Sequence, residues 1–464
     1  MKPQALPILL SLLGLALAHN PHHTQVAKRQ SAAPAAGTVV AGVTVPPLAS
    51  ITFGMPTGPT PAATATATPG AAPPFSGAPP LPSPAWTFSL GEWPDLDKPI
   101  DSTSAQVQEW MKELDGYDIP DISPTVDGSC VNDTAAANDA ANRGWWTCGG
   151  YTRDTDIVAC PDKGTWGVSF DDGPAPYSTA LTDPLISSNL LSYLQQKQLS
   201  ATFFVVGSRV VSYPGILINE YMAGHEISVH TWSHPHLTSL TNAQIVAELG
   251  WTRKAIQAVL GVTPTTMRPP YGDIDDRVRM IALAMGLVPV IWTRTPGGVS
   301  FDTFDWEVAG GTVAGVDSFA QFNNILGNAS TLDTGFCVLE HDLYEITVDL
   351  AIGYTLNAAL THNPPFKLES VGRCSNIPQT NLYVESNTNK SFPFPSPPAS
   401  MAGSSNGSST SSASKAGSSS GGNGKVASQQ GASGSSGAVQ ARVMSGLPLV
   451  GAAMLMLGSW VFLL

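Results

Sequence analysis

The 464-residue sequence predicts an α/β fold, an irregular and incomplete (β/α) TIM-like barrel of about seven parallel strands. Three observations carry that prediction. Apolar runs of strand length recur at 165–170, 201–206, 226–230, 265–268, 287–293, 335–341 and 366–371. Helix-patterned stretches separate them, and repeated β–α alternation implies a parallel sheet. The polar residues that look misplaced all fall where a run ends, and in an α/β barrel those ends share one face. This many units in so short a span suit a barrel better than two small doubly wound sheets, with irregularity expected across the long connection from Trp306 to Asp333.

Each element has a local reason. A helix is expected around Gln106 to Leu114, and Leu190, Leu191 and Leu194 share one face of another. Thr241 with Gln244 forms a capping box, after which Ile245, Leu249, Ile256 and Leu260 repeat at helical spacing up to Gly261. Two more helices are read at 275–285 and 347–360.

The two ends read differently. Residues 1–18 form a secretory signal, with Lys2, a Leu/Ala-rich run and the small-residue site Ala16-Leu17-Ala18. Lys28-Arg29 resembles a dibasic propeptide cut. Residues 19–84 are therefore expected to be a propeptide and a disordered Pro/Ala/Thr-rich stalk. Residues 85–163 read as an extension packed on a catalytic domain at 164–385; five tryptophans (Trp86, Trp93, Trp110, Trp145, Trp146) lie in it, open to packing or to stacking on sugar rings. A Ser/Gly-rich linker fills 386–437. Residues 438–464 end in an uncharged apolar tail, which reads as a GPI-attachment signal; the missing charged stop-transfer cluster favours it over a transmembrane helix.

Sequons at Asn132, Asn328, Asn389 and Asn406 agree with secretion. In an oxidising compartment the five cysteines suggest two disulfides and one thiol. The expected pairs are Cys130–Cys148, a local bridge, and Cys160–Cys374, a clasp across the domain ends. Cys337, inside an apolar run, is the expected free one. The net charge of −13 argues against nucleic acid as a partner and permits a neutral polymer. The chain is expected to act as a monomer.

Asp171 and Asp172 follow the first run and are closed off by Gly173-Pro174. Two adjacent carboxylates suit ordinary turn chemistry, and equally a division in which one holds a cation while the other stays free as a base. His230 and His234 are four apart, which would bring two imidazoles to one side of a helical turn; with a carboxylate they make a two-His, one-carboxylate set, and without one they are packed histidines. No base is built between them, and His236 is set apart by Pro235. Arg268, Asp302, Asp305 and His341 complete the polar group at the run ends.

In this order, the segments SFDDGP, HTWSHPHL, RPPYG, DTFDW and LEHDL resemble the five motifs of NodB-homology polysaccharide deacetylases, the fourth family of carbohydrate esterases, over about residues 164–374. Ser169 stands where the family usually has Thr, and Glu340 where it usually has a second aliphatic residue; strand alternation should turn Glu340 away from the site. The resemblance implies a divalent metal, zinc or cobalt, on Asp172, His230 and His234, which would activate a water. It implies Asp171 as general base paired with Arg268, and the backbone N–H of Tyr271 as oxyanion donor. It further implies His341 as general acid held by Asp305, with Asp302 the less favoured partner, and Trp306 and Leu339 around the acetyl methyl. With the secretory and anchoring signals, the whole looks like GPI-anchored fungal chitin deacetylases, on the outer face of the plasma membrane or in the wall. The alternatives are an acetyl esterase on xylan or another wall glycan, or an inactive chitin-binding wall protein.

Overall fold

The computed structural model describes residues 38–40, 43–58, 64–89, 91–178, 190–389 and 391–393. The secretory signal, Lys28-Arg29, most of the Ser/Gly-rich linker, the Asn406 sequon and the terminal apolar tail lie outside the described residues. Among the described residues no helix is long and apolar enough to cross a membrane.

A short antiparallel ribbon, β1 (Thr38–Val40) with β2 (Val43–Val45), comes first. The main sheet contains β3 (Thr165–Asp171), β4 (Thr202–Val205), β5 (Glu226–Val229), β6 (Thr266–Met267), β7 (Val288–Pro289), β8 (Phe336–Cys337) and β9 (Lys367–Ser370). They run in parallel in the order β7-β6-β5-β4-β3-β8, with β9 beside the first half of β3. Every apolar run yields a strand, most of them shorter than the run. The sheet curls, so regular ladders give way to single parallel bridges: Asp171 with His341, Asp302 with Leu339, Ile157 with Val290. The N–H of Thr293, beyond β7, donates to the carbonyl of Cys337 in β8 at 3.0 Å and ties the two ends of the curl. The result is an incomplete barrel.

β3 is buried throughout, as its unbroken apolar character requires of a strand covered on both faces. Trp166, Phe170, Phe203, Val205 and Val229 anchor the core, each contributing about 1.5–3 kcal/mol by burial. Gly167 sits where only glycine fits: a Cβ there would lie 2.9 Å from Cys374 Sγ and 3.1 Å from both Cys160 Sγ and Cys337 Sγ. Those sulfurs belong to the Cys160–Cys374 disulfide and to the buried free thiol of Cys337. Cys130 and Cys148 form the second disulfide. The longest helix, Asn242–Leu260, carries the capping box at Thr241 and ends on Gly261 at φ 79°.

Over the described residues 43–58 and 64–84 the structure corrects the expectation of a disordered stalk. Val45, Ile51, Phe75 and Leu81 are buried in the main domain. The carbonyl of Ile51 accepts from the Gly315 N–H at 2.8 Å, and the N–H of Thr66 donates to Asn219 Oδ1 at 2.8 Å. A segment this sparse in apolar residues builds no core of its own, but the larger domain offers grooves and polar groups that take it. The tryptophans of the extension are packed as well. Trp145 and Trp146 are buried, and Trp93 stacks on Trp232 with centroids 6.3 Å apart. Asn132 and Asn389 are exposed, whereas Asn328 is half-buried on the helix Gly315–Ala329.

Candidate active site

The strand ends deliver the polar residues to one cavity of about 190 Å³, lined among others by Asp171, Asp172, His230, His234, Tyr271, Trp306, Leu339 and His341. Asp171 is the last residue of β3, and Asp172 turns the chain at φ 77°. A Cβ at Gly173 would meet Asp342 Oδ1 at 2.7 Å, so any larger residue there would displace that carboxylate. His230 directly follows β5, and Arg268 directly follows β6. Thr231, His234, Tyr271 and Phe304 also hold left-handed φ between 58° and 65°. Such conformations cost about 1–2 kcal/mol each for residues with a Cβ and persist only where surroundings over-determine them. Of these residues, Asp172, His234 and Tyr271 line the cavity.

The two histidines meet by a route the spacing did not foretell. Residues 230–234 are not helical; left-handed Thr231 and His234 fold a loop that brings the imidazole centroids to 4.9 Å. His230 Nε2 lies 3.4 Å and His234 Nε2 3.1 Å from Asp172 Oδ1. The backbone carbonyl of Arg268, 2.7 Å from His230 Nδ1, requires the proton on that nitrogen. With Nδ1 so engaged, His230 turns Nε2 toward Asp172 Oδ1, the atom that His234 Nε2 also faces. Acceptors converging in this way fit a cation, and these three ligand atoms lie within 4.8 Å of one another. The donor set, two imidazoles and one carboxylate, suits zinc or a similar divalent ion.

Asp171 stands outside that set. Arg268 Nη1 donates to its Oδ1 at 2.7 Å, and both side chains are buried. The guanidinium rests on the Phe204 ring at 4.1 Å, so its position is fixed by packing. Across the cavity, His341 Nδ1 donates to Asp305 Oδ1 at 2.7 Å, while Asp305 Oδ2 accepts the His341 backbone N–H at 2.8 Å. The Trp306 N–H donates to Asp305 at 2.8 Å. Asp302 instead accepts from the Phe304 N–H at 2.8 Å. Burial alone would lower the His341 imidazolium, but the charge and hydrogen bond of Asp305, then Asp172 and Asp171, push it up to about 10. His236 lies outside the metal-ligand group; it stacks on the Tyr271 ring at 3.9 Å.

Three supports escaped the sequence reading. Trp292 lines the cavity and is held edge-on by Trp146 at 4.6 Å. Asp273 is fully buried and accepts from Trp145 Nε1 at 2.8 Å and Thr238 Oγ1 at 2.7 Å, binding the disulfide loop to the Tyr271 turn. Glu248 holds the histidine loop. The Trp-Trp pair beside Cys148 was a signal of packing, but sequence could not say against what.

Glu340 is buried and absent from the cavity lining. Burial raises its carboxyl from 4.5 to about 8. Between those values the folded chain keeps a proton that the unfolded chain has lost, so its contribution to stability falls as pH rises through that window. Glu340→Gln should gain stability over the wild type from pH 5 to pH 8, by on the order of a few kcal/mol. Thermal unfolding at both pH values checks this; a gap independent of pH would contradict it.

The sequence profile described as polysaccharide deacetylase matches residues 159–290. The chain is 50% identical over 353 residues to chitin deacetylase 1 of Cryptococcus neoformans var. grubii, covering 75% of this chain and 72% of that protein. This chain belongs to the polysaccharide deacetylase family. A second family relative, the chitin deacetylase of Amylomyces rouxii, is 36% identical over 281 residues, 58% of this chain and 63% of its own length. Among solved structures, the chitin deacetylase of Colletotrichum lindemuthianum superposes with a TM-score of 0.43 at 25% identity, covering 52% of this chain and 100% of that one.

Proposed function

We propose that this polysaccharide deacetylase is a metal-dependent chitin deacetylase, which hydrolyses the N-acetyl groups of N-acetylglucosamine residues in wall chitin to chitosan and acetate. The observation that carries the reading is one cavity lined by Asp171, which pairs with Arg268, by His341, which pairs with Asp305, and by three residues able to hold a cation. Relatives named chitin deacetylases support the substrate. A zinc or cobalt ion at Asp172, His230 and His234 would supply Lewis acidity toward the acetyl carbonyl and make water a better nucleophile.

The remaining steps belong to the chain's own groups. Asp171 Oδ2 accepts a proton from the attacking water while Arg268 holds Oδ1. As water oxygen joins the carbonyl carbon, the backbone N–H of Tyr271 serves the developing oxyanion. His341, kept protonated by Asp305, gives its proton to the nitrogen as the C–N bond breaks, releasing acetate and the free amine. Trp306 and Leu339 take the methyl group. The secretory signal, the sequons and the terminal attachment signal support a place outside the cell, anchored to the membrane or held in the wall.

Acetate release from defined chitin oligomers, set beside acetyl-xylan, tests the substrate. Release from the chitin oligomers is expected. Release from acetyl-xylan alone would replace this reading with an O-acetyl esterase.

A further inference from the structure

The loop from His230 to His234 presents two imidazoles from a backbone that does not favour its own shape, since Thr231 sits at φ 65° and His234 at φ 60°. Neither residue is glycine, so something outside the loop must hold it. The backbone hydrogen bonds show what does. The Thr231 carbonyl accepts the Gly207 N–H at 2.9 Å, and the Trp232 carbonyl accepts the Ser208 N–H at 3.2 Å. The His234 N–H donates to Thr231 Oγ1 at 3.1 Å, inside the loop. Two of the three N–H groups between the histidines donate to one atom, Glu248 Oε2: Trp232 N at 2.8 Å and Ser233 N at 2.8 Å. Ser233 Oγ donates to Glu248 Oε1 at 2.7 Å.

Glu248 projects from the helix Asn242–Leu260 and is 3% exposed. Burying a carboxylate this deeply is costly unless its oxygens are satisfied, and the histidine loop is what satisfies them. Three short hydrogen bonds from two consecutive residues fix both position and orientation of that stretch. The opposite side of the loop is closed by packing, with Trp232 stacked on Trp93 and its Nε1 donating to the Asp95 carbonyl at 3.0 Å.

We infer that Glu248 is a positioning residue for the metal centre: by clamping Trp232 and Ser233 it sets the His230 and His234 nitrogens at the spacing a divalent cation requires. It is no part of the candidate ligand set and does not line the cavity. The inference rests on the reading of Asp172, His230 and His234 as a metal site, and groups one step removed from ligands commonly govern affinity 10- to 100-fold.

The test is the zinc dissociation constant of the metal-stripped full chain, measured by chelator competition, together with the visible spectrum of the cobalt form. Glu248→Ala is expected to weaken binding by about 10- to 100-fold and to change the cobalt spectrum. Glu248→Gln is expected to stay close to wild type in both, because its amide oxygen accepts both N–H groups. A merely structural role would lower thermal stability in Glu248→Ala while leaving the affinity and spectrum of the folded protein intact, and that result would overturn the inference. So would a Glu248→Gln protein as impaired as Glu248→Ala. If Glu248→Ala does not fold, Glu248→Asp, which withdraws the oxygens by one methylene, should show the same weakening; unchanged affinity there also overturns it. A wild-type chain that binds no metal would overturn the metal reading and this inference together, whereas equal binding by wild type and Glu248→Ala overturns this inference alone.

Discussion

Asp171→Asn should bind metal as the wild type does and lose about 10²- to 10⁴-fold in kcat. Asparagine keeps the size of the side chain and an oxygen for Arg268 Nη1, so the buried pair at 2.7 Å has a substitute partner. What it removes is the ability to take a proton from water. Metal content by elemental analysis and acetate release under saturating substrate separate the two effects. Near-normal turnover in a metal-loaded Asp171→Asn protein would show that the base lies elsewhere, and metal loss would place Asp171 among the ligands.

His341→Ala should cost a similar 10²- to 10⁴-fold in kcat, again with metal retained. The acid form of His341 is held up to about 10, chiefly by Asp305 against the opposing effect of burial. Because that value is raised, the acid form is present below it and is lost as pH rises through it. Activity should therefore fall on the alkaline side. A cation at Asp172 offsets part of the negative field, so the alkaline limb of the loaded enzyme belongs somewhat below the metal-free value. Asp305→Asn removes the largest favourable contribution and should move that limb to lower pH. The kcat profile against pH checks it; a limb that does not move would remove Asp305 from this role.

Much of this arrangement was legible in the residues, and the gaps have physical causes. Apolar runs announced every main strand, because strands buried on both faces need continuous hydrophobicity. Their lengths were not legible, since curl shortens ladders through backbone geometry that no side chain records. The four-residue interval between His230 and His234 pointed to a pair, but for a helical reason that the structure replaces with left-handed Thr231 and His234 and the distant Glu248. Spacing could not finally choose between Asp302 and Asp305 as the partner of His341; the two hydrogen bonds between His341 and Asp305 do. The segment before residue 85 looked too poor in apolar residues to order itself, which is true of it in isolation. Ile51 and Phe75 find their core in another part of the chain, and a sequence does not show which surface will accept them.

The most direct test of the central claim is acetate release from chitin oligomers by the full chain before chelation, after chelation, and after zinc or cobalt is returned. Activity should vanish with the metal and come back with it, and Asp172→Asn should show little recovery at the same metal concentration. Undiminished release by the stripped protein would contradict the account.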